Sequence, residues 1–138
     1  MPARPLPVPD EQSAPFWAAA ADHILMVAQC SGCSVLSLPP TATCGHCGSA
    51  DPAFSFVPVS GTGAVRSWTV VRQAFLPGFD DDLPFLLVDV ELDAQADFRL
   101  IGRLLDGVEP SPTLGEPVEI AWEDLAPDIA IPAFRRVP

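Results

Sequence analysis

Four cysteines in two closely spaced pairs constrain the fold more than any other feature of this sequence. They form Cys30-x2-Cys33 and Cys44-x2-Cys47, with ten residues between the pairs. Two such pairs of thiolates close a tetrahedron around one Zn²⁺ ion with bonds of about 2.3 Å. Two disulfides are disfavoured in a reducing compartment, and a thioredoxin-type redox pair requires a βαβ pattern that this sequence lacks. The spacing therefore predicts a four-cysteine metal site.

The ligand set also indicates what kind of site this is. Four thiolates leave no coordination position open for a substrate, so we expect a structural metal rather than a catalytic one. Zinc is favoured because structural four-cysteine sites usually hold it, while a rubredoxin-like iron site has the same ligands and stays open as the alternative. Gly32, Gly45 and Gly48 are predicted to permit the tight or left-handed turns of such a site. His46 is predicted to be a solvated turn residue because four thiolates already suffice.

The charge and composition exclude several kinds of chemistry. Among 138 residues there are 7 basic and 18 acidic ones, giving a net charge of −11, and there is no Lys and no Tyr. Lysine-dependent catalysis is therefore absent, and so acidic a chain should repel a nucleic-acid backbone. The sequence contains no G-x-S-x-G motif and no Gly-rich phosphate loop before a helix, and His23 is predicted to be a turn or boundary residue. We therefore predict no catalytic residue in this chain.

Composition along the chain predicts three segments. Residues 1–12 are predicted to be a flexible Pro-rich tail, 13–57 a short helix with the ribbon, and 58–138 a β domain. Ser13 is the predicted helix N-cap, with Pro15 in the first turn. The helix carries an apolar stripe that either covers the protein's own core or docks on a partner: Phe16, Trp17 and Ala20.

No membrane or export signal is recognised in the sequence. Acidic residues precede and interrupt the Ala-rich stretch after residue 13, and no run approaches the ~18 apolar residues of a membrane span. We expect a cytoplasmic protein with no membrane partner.

Short strand-like runs follow the cysteines. They cover 64–75, 85–92, 98–105 and 118–123, with turns rich in Pro and Gly between them. Apolar and acidic residues alternate clearly in the second and fourth runs, which indicates strands with one buried face. Gly102 is predicted to mark a bulge or bend. The pattern favours a mainly β fold with a small antiparallel barrel.

The order of these features resembles the DUF35 family over roughly residues 13–136. It comprises a helix opening with Phe16-Trp17, the four-cysteine ribbon, the Ser-Gly-Thr-Gly turn at 60–63, a long first strand and the Leu-Gly-Glu-Pro-Val-Glu segment at 114–119. The resemblance implies a rubredoxin-like zinc ribbon followed by a five-stranded OB-fold barrel.

The resemblance also implies a function. Family members are accessory subunits of thiolase-superfamily enzymes, such as lipid-transfer-protein-like thiolases and aldolases, and some associate with MaoC-like hydratases. By this analogy the chain is a non-catalytic subunit of an acyl-CoA complex in steroid side-chain or fatty-acyl-CoA degradation, which docks on the enzyme and shapes its CoA channel. The alternatives are a nucleic-acid-binding ribbon and OB module, and a stand-alone acyl-CoA-binding protein or enzyme.

A loop at 75–79, followed by three Asp residues, is the candidate for an exposed functional element. Phe75 and Phe79 flank a Pro-Gly turn and either fold back onto the barrel mouth or contact the partner's acyl-CoA tunnel. Arg66 and Arg72 precede this loop and either meet CoA phosphates or pair with carboxylates across the sheet. Two further arginines near the C-terminus are either solvated or a second contact to CoA phosphates: Arg135 and Arg136.

Overall fold

Two β modules, one α-helix and a short 3-10 helix at Asp80–Asp82 make up the computed structural model, which describes residues 4–49 and 53–138. The first three residues of the predicted tail and residues 50–52 of the predicted ribbon lie outside the described residues. The ribbon is a three-stranded antiparallel sheet with the order β2-β1-β3. Its strands are β1 (Met26–Cys30), β2 (Leu36–Ser37) and β3 (Phe54–Pro58).

The second module is a closed barrel of five strands. It consists of β4 (Thr62–Val71), β5 (Phe85–Leu92), β6 (Arg99–Leu104), β7 (Pro117–Ala126) and β8 (Ile129–Arg136). The strand order is β4-β5-β6-β8-β7, and β7 pairs with β4 to close the barrel. Four pairings are antiparallel, but β6 and β8 are parallel, so the expectation of a wholly antiparallel barrel was wrong for that pair. A closed barrel of five strands cannot alternate strand direction all the way round, because five is an odd number, and here the one parallel pair is β6 with β8.

Alternation along the strands builds the barrel core. In β5 every second residue is buried, starting at Leu86, and the intervening side chains face outward. The largest fully buried side chain is Phe134 on β8, which lies beside Leu104 of β6 and Ile120 of β7 in the strand register. Burying an apolar side chain of this size contributes roughly 1.5–3 kcal/mol.

Gly102 has a different role from the predicted bulge. The β5–β6 register continues without a shift through this residue. A Cβ at Gly102 would lie 3.1 Å from the Cα of Ala133 and 3.1 Å from the ring of Phe134. The glycine therefore permits close approach of β8 rather than a bend of β6.

The helix α1 (Ala14–Ala21) joins the two modules. Ser13 is its N-cap and Pro15 lies in its first turn, as predicted. The Ser13 hydroxyl makes no capping bond and instead accepts a hydrogen bond from the backbone N–H of Asp10 at 3.0 Å.

The apolar side of α1 covers the protein's own core. Phe16, Ala19 and Ala20 are buried, and the helix packs against β8 of the barrel and β1 of the ribbon. Trp17 is only half-buried and meets Phe16 edge to face. Among the described residues no helix has the length and apolarity that crossing a bilayer requires.

A Gly-to-Ala substitution tests the tightest point of the barrel. Gly63 of β4 pairs with Leu92 of β5 and Val118 of β7, and a Cβ there would lie 2.4 Å from the backbone oxygen of Glu91. The carbonyl cannot move without breaking the strand ladder, so Gly63→Ala should lower the free energy of unfolding by about 2 kcal/mol. Urea denaturation followed by tryptophan fluorescence measures this change. Gly45→Ala is the matched control because nothing lies within 4 Å of its Cβ position; equal midpoints for the two variants would contradict the prediction.

Candidate metal centre and exposed apolar loop

The four cysteine sulfur atoms converge on one point at the end of the ribbon. All four cysteines are free, and their sulfur atoms lie within 4.8 Å of one another. The Cys30 and Cys47 sulfurs are 3.9 Å apart, and those of Cys33 and Cys44 are 3.7 Å apart. A tetrahedral ion with bonds of about 2.3 Å places its sulfur ligands ~3.8 Å apart, whereas a disulfide requires about 2.05 Å. The residues present therefore fit a four-thiolate metal site.

Two equivalent turns place these ligands. The backbone N–H of Ser34 donates to the Cys30 carbonyl at 2.8 Å, and that of Gly48 donates to the Cys44 carbonyl at 3.0 Å. The φ angles of Ser34 and Gly48 are 65° and 74°, so both residues adopt the left-handed conformation. The same backbone geometry thus follows each Cys-x-x-Cys pair.

Only one of these two left-handed positions was predicted. Gly48 was expected, but Gly32 and Gly45 do not have positive φ angles, and Ser34 occupies the corresponding place in the first turn. The position of Ser34 in the sequence could have predicted its left-handed conformation, because Ser34 directly follows the second cysteine of its pair, as Gly48 does.

The two turns differ in exposure. Cys30 and Cys44 are buried, Cys33 is half-buried and Cys47 is exposed, so the centre is open to solvent on one side. The side chain of His46 is exposed, as expected for a solvated turn residue, and lies outside the sulfur cluster.

The pKa values of Cys44 and Cys33 are shifted in opposite directions. The backbone N–H groups of Cys47 and His46 stabilise the Cys44 thiolate and lower the pKa of Cys44 from 9.0 to about 6. The backbone N–H of Val35 acts on Cys33 in the same direction. Desolvation and hydrogen bonds with the other thiols outweigh it and raise the pKa of Cys33 to about 12. At neutral pH the hydrogen-bonded pair of Cys33 and Cys44 therefore retains one proton between its two sulfur atoms.

This difference predicts proton release on metal binding. Because a ligand must be a thiolate, binding at pH 7.5 should displace the proton that the Cys33–Cys44 pair retains, and below pH 6 it should displace a second proton from this pair. Apparent affinity should therefore fall as the pH falls, by about an extra factor of ten per pH unit once the second proton is bound. Calorimetry of Zn²⁺ binding at pH 7.5 and 5.5, in buffers of different ionisation enthalpy, counts the protons. A proton count that does not rise between pH 7.5 and 5.5 would contradict the prediction.

The two phenylalanines of the exposed loop differ in how far they are buried. The ring of Phe79 is half-buried, lies 6.3 Å from the ring of Phe85 and is covered by the guanidinium of Arg4 at 5.0 Å. Phe75 is 88% exposed and Leu76 is 59% exposed. Phe79 thus folds back onto the barrel, whereas Phe75 does not.

A cluster of two arginines and two carboxylates holds the base of this loop. Arg4 forms ion pairs with Asp82 and with Glu123, the latter at 3.2 Å. Arg103 lies 3.4 Å from both carboxylates. Hydrogen bonds from Arg4 and then Arg103 lower the pKa of Asp82. We call these four residues the Arg4 cluster.

The Arg4 cluster was not predicted from the sequence. Arg4 belongs to the segment predicted as a flexible tail, and its partners lie 78 and 119 residues away along the chain. No local pattern indicates pairing over such separations.

The other candidate arginines are mostly neutralised by carboxylates. Arg66 pairs with Glu91 at 3.5 Å across the sheet. Arg135 and Arg136 form ion pairs with carboxylates of the segment 116–119. Arg72 is exposed and has no ion-pair partner among the described residues. The structure therefore does not bring the four candidates together into one phosphate site.

His23 lies at the boundary between helix and ribbon, as expected. Its φ is 60°, its ring stacks on Trp122 at 5.7 Å, and its Nε2 is 2.7 Å from Oδ1 of Asp124. The contact links the end of α1 to strand β7 of the barrel.

Both modules of this chain match domains of known proteins. Residues 17–53 match a family model described as the ChsH2 rubredoxin-like zinc ribbon domain. Residues 56–123 match the model of the ChsH2 C-terminal OB-fold domain. A chain in the solved structure of an Ltp2–ChsH2(DUF35) aldolase is 32% identical, with a TM-score of 0.78, over 94% of this chain and 98% of that chain. This chain belongs to the DUF35 family.

One curated relative of this DUF35 chain is much longer. The probable enoyl-CoA hydratase alpha subunit of Thermomonospora curvata is 33% identical over 133 residues, which is 96% of this chain. The DUF35 chain spans 40% of the length of that relative. The two family matches, the solved structure and the strand topology together confirm the DUF35 resemblance, and with it the ribbon and the five-stranded barrel that the resemblance implied.

Proposed function

We propose that this chain is a non-catalytic accessory subunit of a thiolase-like aldolase complex that acts on acyl-CoA. The observation that carries the proposal is the likeness, over nearly the whole of both chains, to the DUF35 chain of the Ltp2–ChsH2(DUF35) aldolase. In this role the ribbon and α1 dock on the lipid-transfer-protein-like thiolase subunit, and the barrel borders its CoA channel. Steroid side-chain or fatty-acyl-CoA degradation, in the cytoplasm, is the proposed setting.

The metal centre supports a structural role for the ribbon. Four sulfur ligands complete a tetrahedral shell, so the bound ion has no position for a substrate. We propose zinc as that ion, held by Cys30, Cys33, Cys44 and Cys47. When bound, it supplies cross-links between the two turns of the ribbon and no reaction chemistry.

A hydratase is the proposed second partner. The curated relative is named as an enoyl-CoA hydratase alpha subunit, and this chain matches only part of it. We propose that a MaoC-like hydratase associates with the same complex, so that successive reactions on one acyl-CoA occur in one assembly.

Charge argues against the alternative of a nucleic-acid-binding module. Six of the seven arginines form ion pairs with carboxylates, and the net charge is −11. Such a surface offers a phosphate backbone little free positive charge.

Co-expression with the thiolase-like protein encoded nearest to it tests the proposed function. We expect a stable heteromer in size-exclusion chromatography with light scattering, and retro-aldol cleavage of a hydroxyacyl-CoA by the complex only. A chain that remains alone beside every such thiolase would overturn the proposal. Turnover of an acyl-CoA by the repurified chain would instead favour a stand-alone enzyme, and oligonucleotide binding at about 150 mM salt would favour the nucleic-acid alternative.

A further inference from the structure

We infer that Phe75 and Leu76 form a preorganised anchor, which inserts into an apolar pocket with a basic rim on the thiolase-like subunit; this inference rests on the proposed function. We call these two residues the apolar tip.

Exposure of the apolar tip is the first observation. Phe75 is 88% exposed and its neighbour Leu76 is 59% exposed, whereas every other phenylalanine of the chain is at least partly buried. An aromatic side chain removes some 150–250 Å² from water when it is buried. Large aromatic residues that fill a pocket supply much of the binding energy of protein interfaces.

The loop that carries the tip is held in place. Gly78 has a φ of 87°, and a Cβ there would lie 2.5 Å from the backbone nitrogen of Arg4, so the turn packs directly on the N-terminal segment. The Arg4 side chain also donates to the Gly78 carbonyl and bridges Asp82 to Glu123. A loop fixed in this way loses less conformational entropy on binding than a free one.

Charges in the same loop indicate the chemistry of the occupant. Asp80 and Asp81 are exposed and form no ion pair with any described residue, whereas Asp82 is neutralised by Arg4 and Arg103. Two free carboxylates disfavour the phosphates of CoA and favour a protein pocket rimmed by Lys or Arg.

Apolar surface continues from the base of the loop. Phe79 and Arg4 line a groove of about 240 Å³ together with the half-buried Trp17 and with Ile101, which is 63% exposed. Ile101 is on the barrel strand β6, whereas Trp17 belongs to α1, Phe79 to the loop and Arg4 to the N-terminal segment. A partner seated on the tip therefore meets further apolar surface beside it.

Phe75→Ala in the full chain tests the anchor against the thiolase-like subunit. We expect the dissociation constant to rise about 30-fold, as for loss of a hot-spot aromatic residue, and Leu76→Ala to act in the same direction. Leu114→Ala, which truncates an exposed apolar residue in another loop, is the matched control and should leave binding unchanged. Metal content and melting temperature of all variants should equal those of the wild type, because none of these side chains is buried.

The outcomes separate the two proposals. Failure of the wild-type chain to bind any thiolase-like subunit overturns the proposed function and this inference with it. A wild-type complex whose affinity is unaffected by Phe75→Ala overturns the inference alone. Unchanged affinity with a raised KM for acyl-CoA would also overturn it and would make the loop a lid over the substrate.

Arg4→Ala tests the preorganisation without the partner. Amide hydrogen exchange in residues 74–84 of the isolated chain should accelerate, and affinity for the partner should fall with it. Unchanged exchange in this loop would overturn the role of Arg4 as a positioning residue. Arg4→Lys keeps the charge but not the fork that reaches two carboxylates, so it should restore the protection only in part.

Discussion

Cys44→Ser should abolish metal binding and unfold the ribbon. Cys44 is buried and its sulfur lies 3.7 Å from that of Cys33, so the serine oxygen leaves three thiolates and a poor fourth ligand. The segment between the two cysteine pairs has little regular structure of its own, because its strand β2 contains only two residues. In small four-ligand domains of this type metal binding and folding are coupled. We therefore expect zinc content to fall from about one ion per chain to near zero.

Elemental analysis and hydrogen exchange together measure this result. Protein kept under reducing conditions is analysed for zinc and iron, and exchange is compared between β1 and the barrel strand β5. Exchange should accelerate throughout residues 26–58, with a smaller effect in β5. His46→Ala is the control, since His46 is exposed within the same turn and lies outside the sulfur cluster. A wild-type chain without bound metal, or a Cys44→Ser variant that retains it, would contradict the four-cysteine assignment.

Phe134→Ala should be the most destabilising single change in the barrel. Phe134 is fully buried on β8 between β6 and β7, and Gly102 leaves room for its ring. Truncating such a side chain removes its burial and leaves a cavity, at a cost of about 3–5 kcal/mol. For a chain of this length the melting temperature should fall by roughly 10–15 °C.

The same substitution at Phe75 provides the control. Phe75 is 88% exposed, so Phe75→Ala should change the free energy of unfolding by less than about 0.5 kcal/mol. Calorimetry of the two variants at equal metal content measures the difference. Similar melting temperatures for both would show that the barrel does not depend on Phe134 as its burial implies.

These two phenylalanines have opposite places in the fold. One lies in the core and stabilises the barrel, while the other lies on a held loop and contributes little to folding. An aromatic ring that is exposed to water and stabilises neither the fold nor the metal centre is typical of a residue that becomes buried when a partner binds.

The strand predictions show where local pattern was sufficient. The run 85–92 coincides with β5 because alternation of apolar and acidic residues makes one face unambiguous. The first barrel strand was predicted to extend to Phe75 but ends at Val71, where the chain leaves the barrel for the exposed loop. The last strand, β8, was not predicted, since Pro132 and two consecutive arginines interrupt its alternation.

The two Cys-x-x-Cys pairs, the helix start and the β character of the chain could be predicted from the sequence, because each is encoded by residues within a few positions of one another. A Cys-x-x-Cys turn closes over five residues, and strand alternation has a period of two. The parallel pairing of β6 with β8, the close approach at Gly102 and the Arg4 cluster became visible in the folded chain alone. These contacts join residues up to 119 positions apart. Which distant groups meet depends on how the barrel closes, since barrel closure brings Arg4, Asp82 and Glu123 to one surface and leaves Phe75 beyond it.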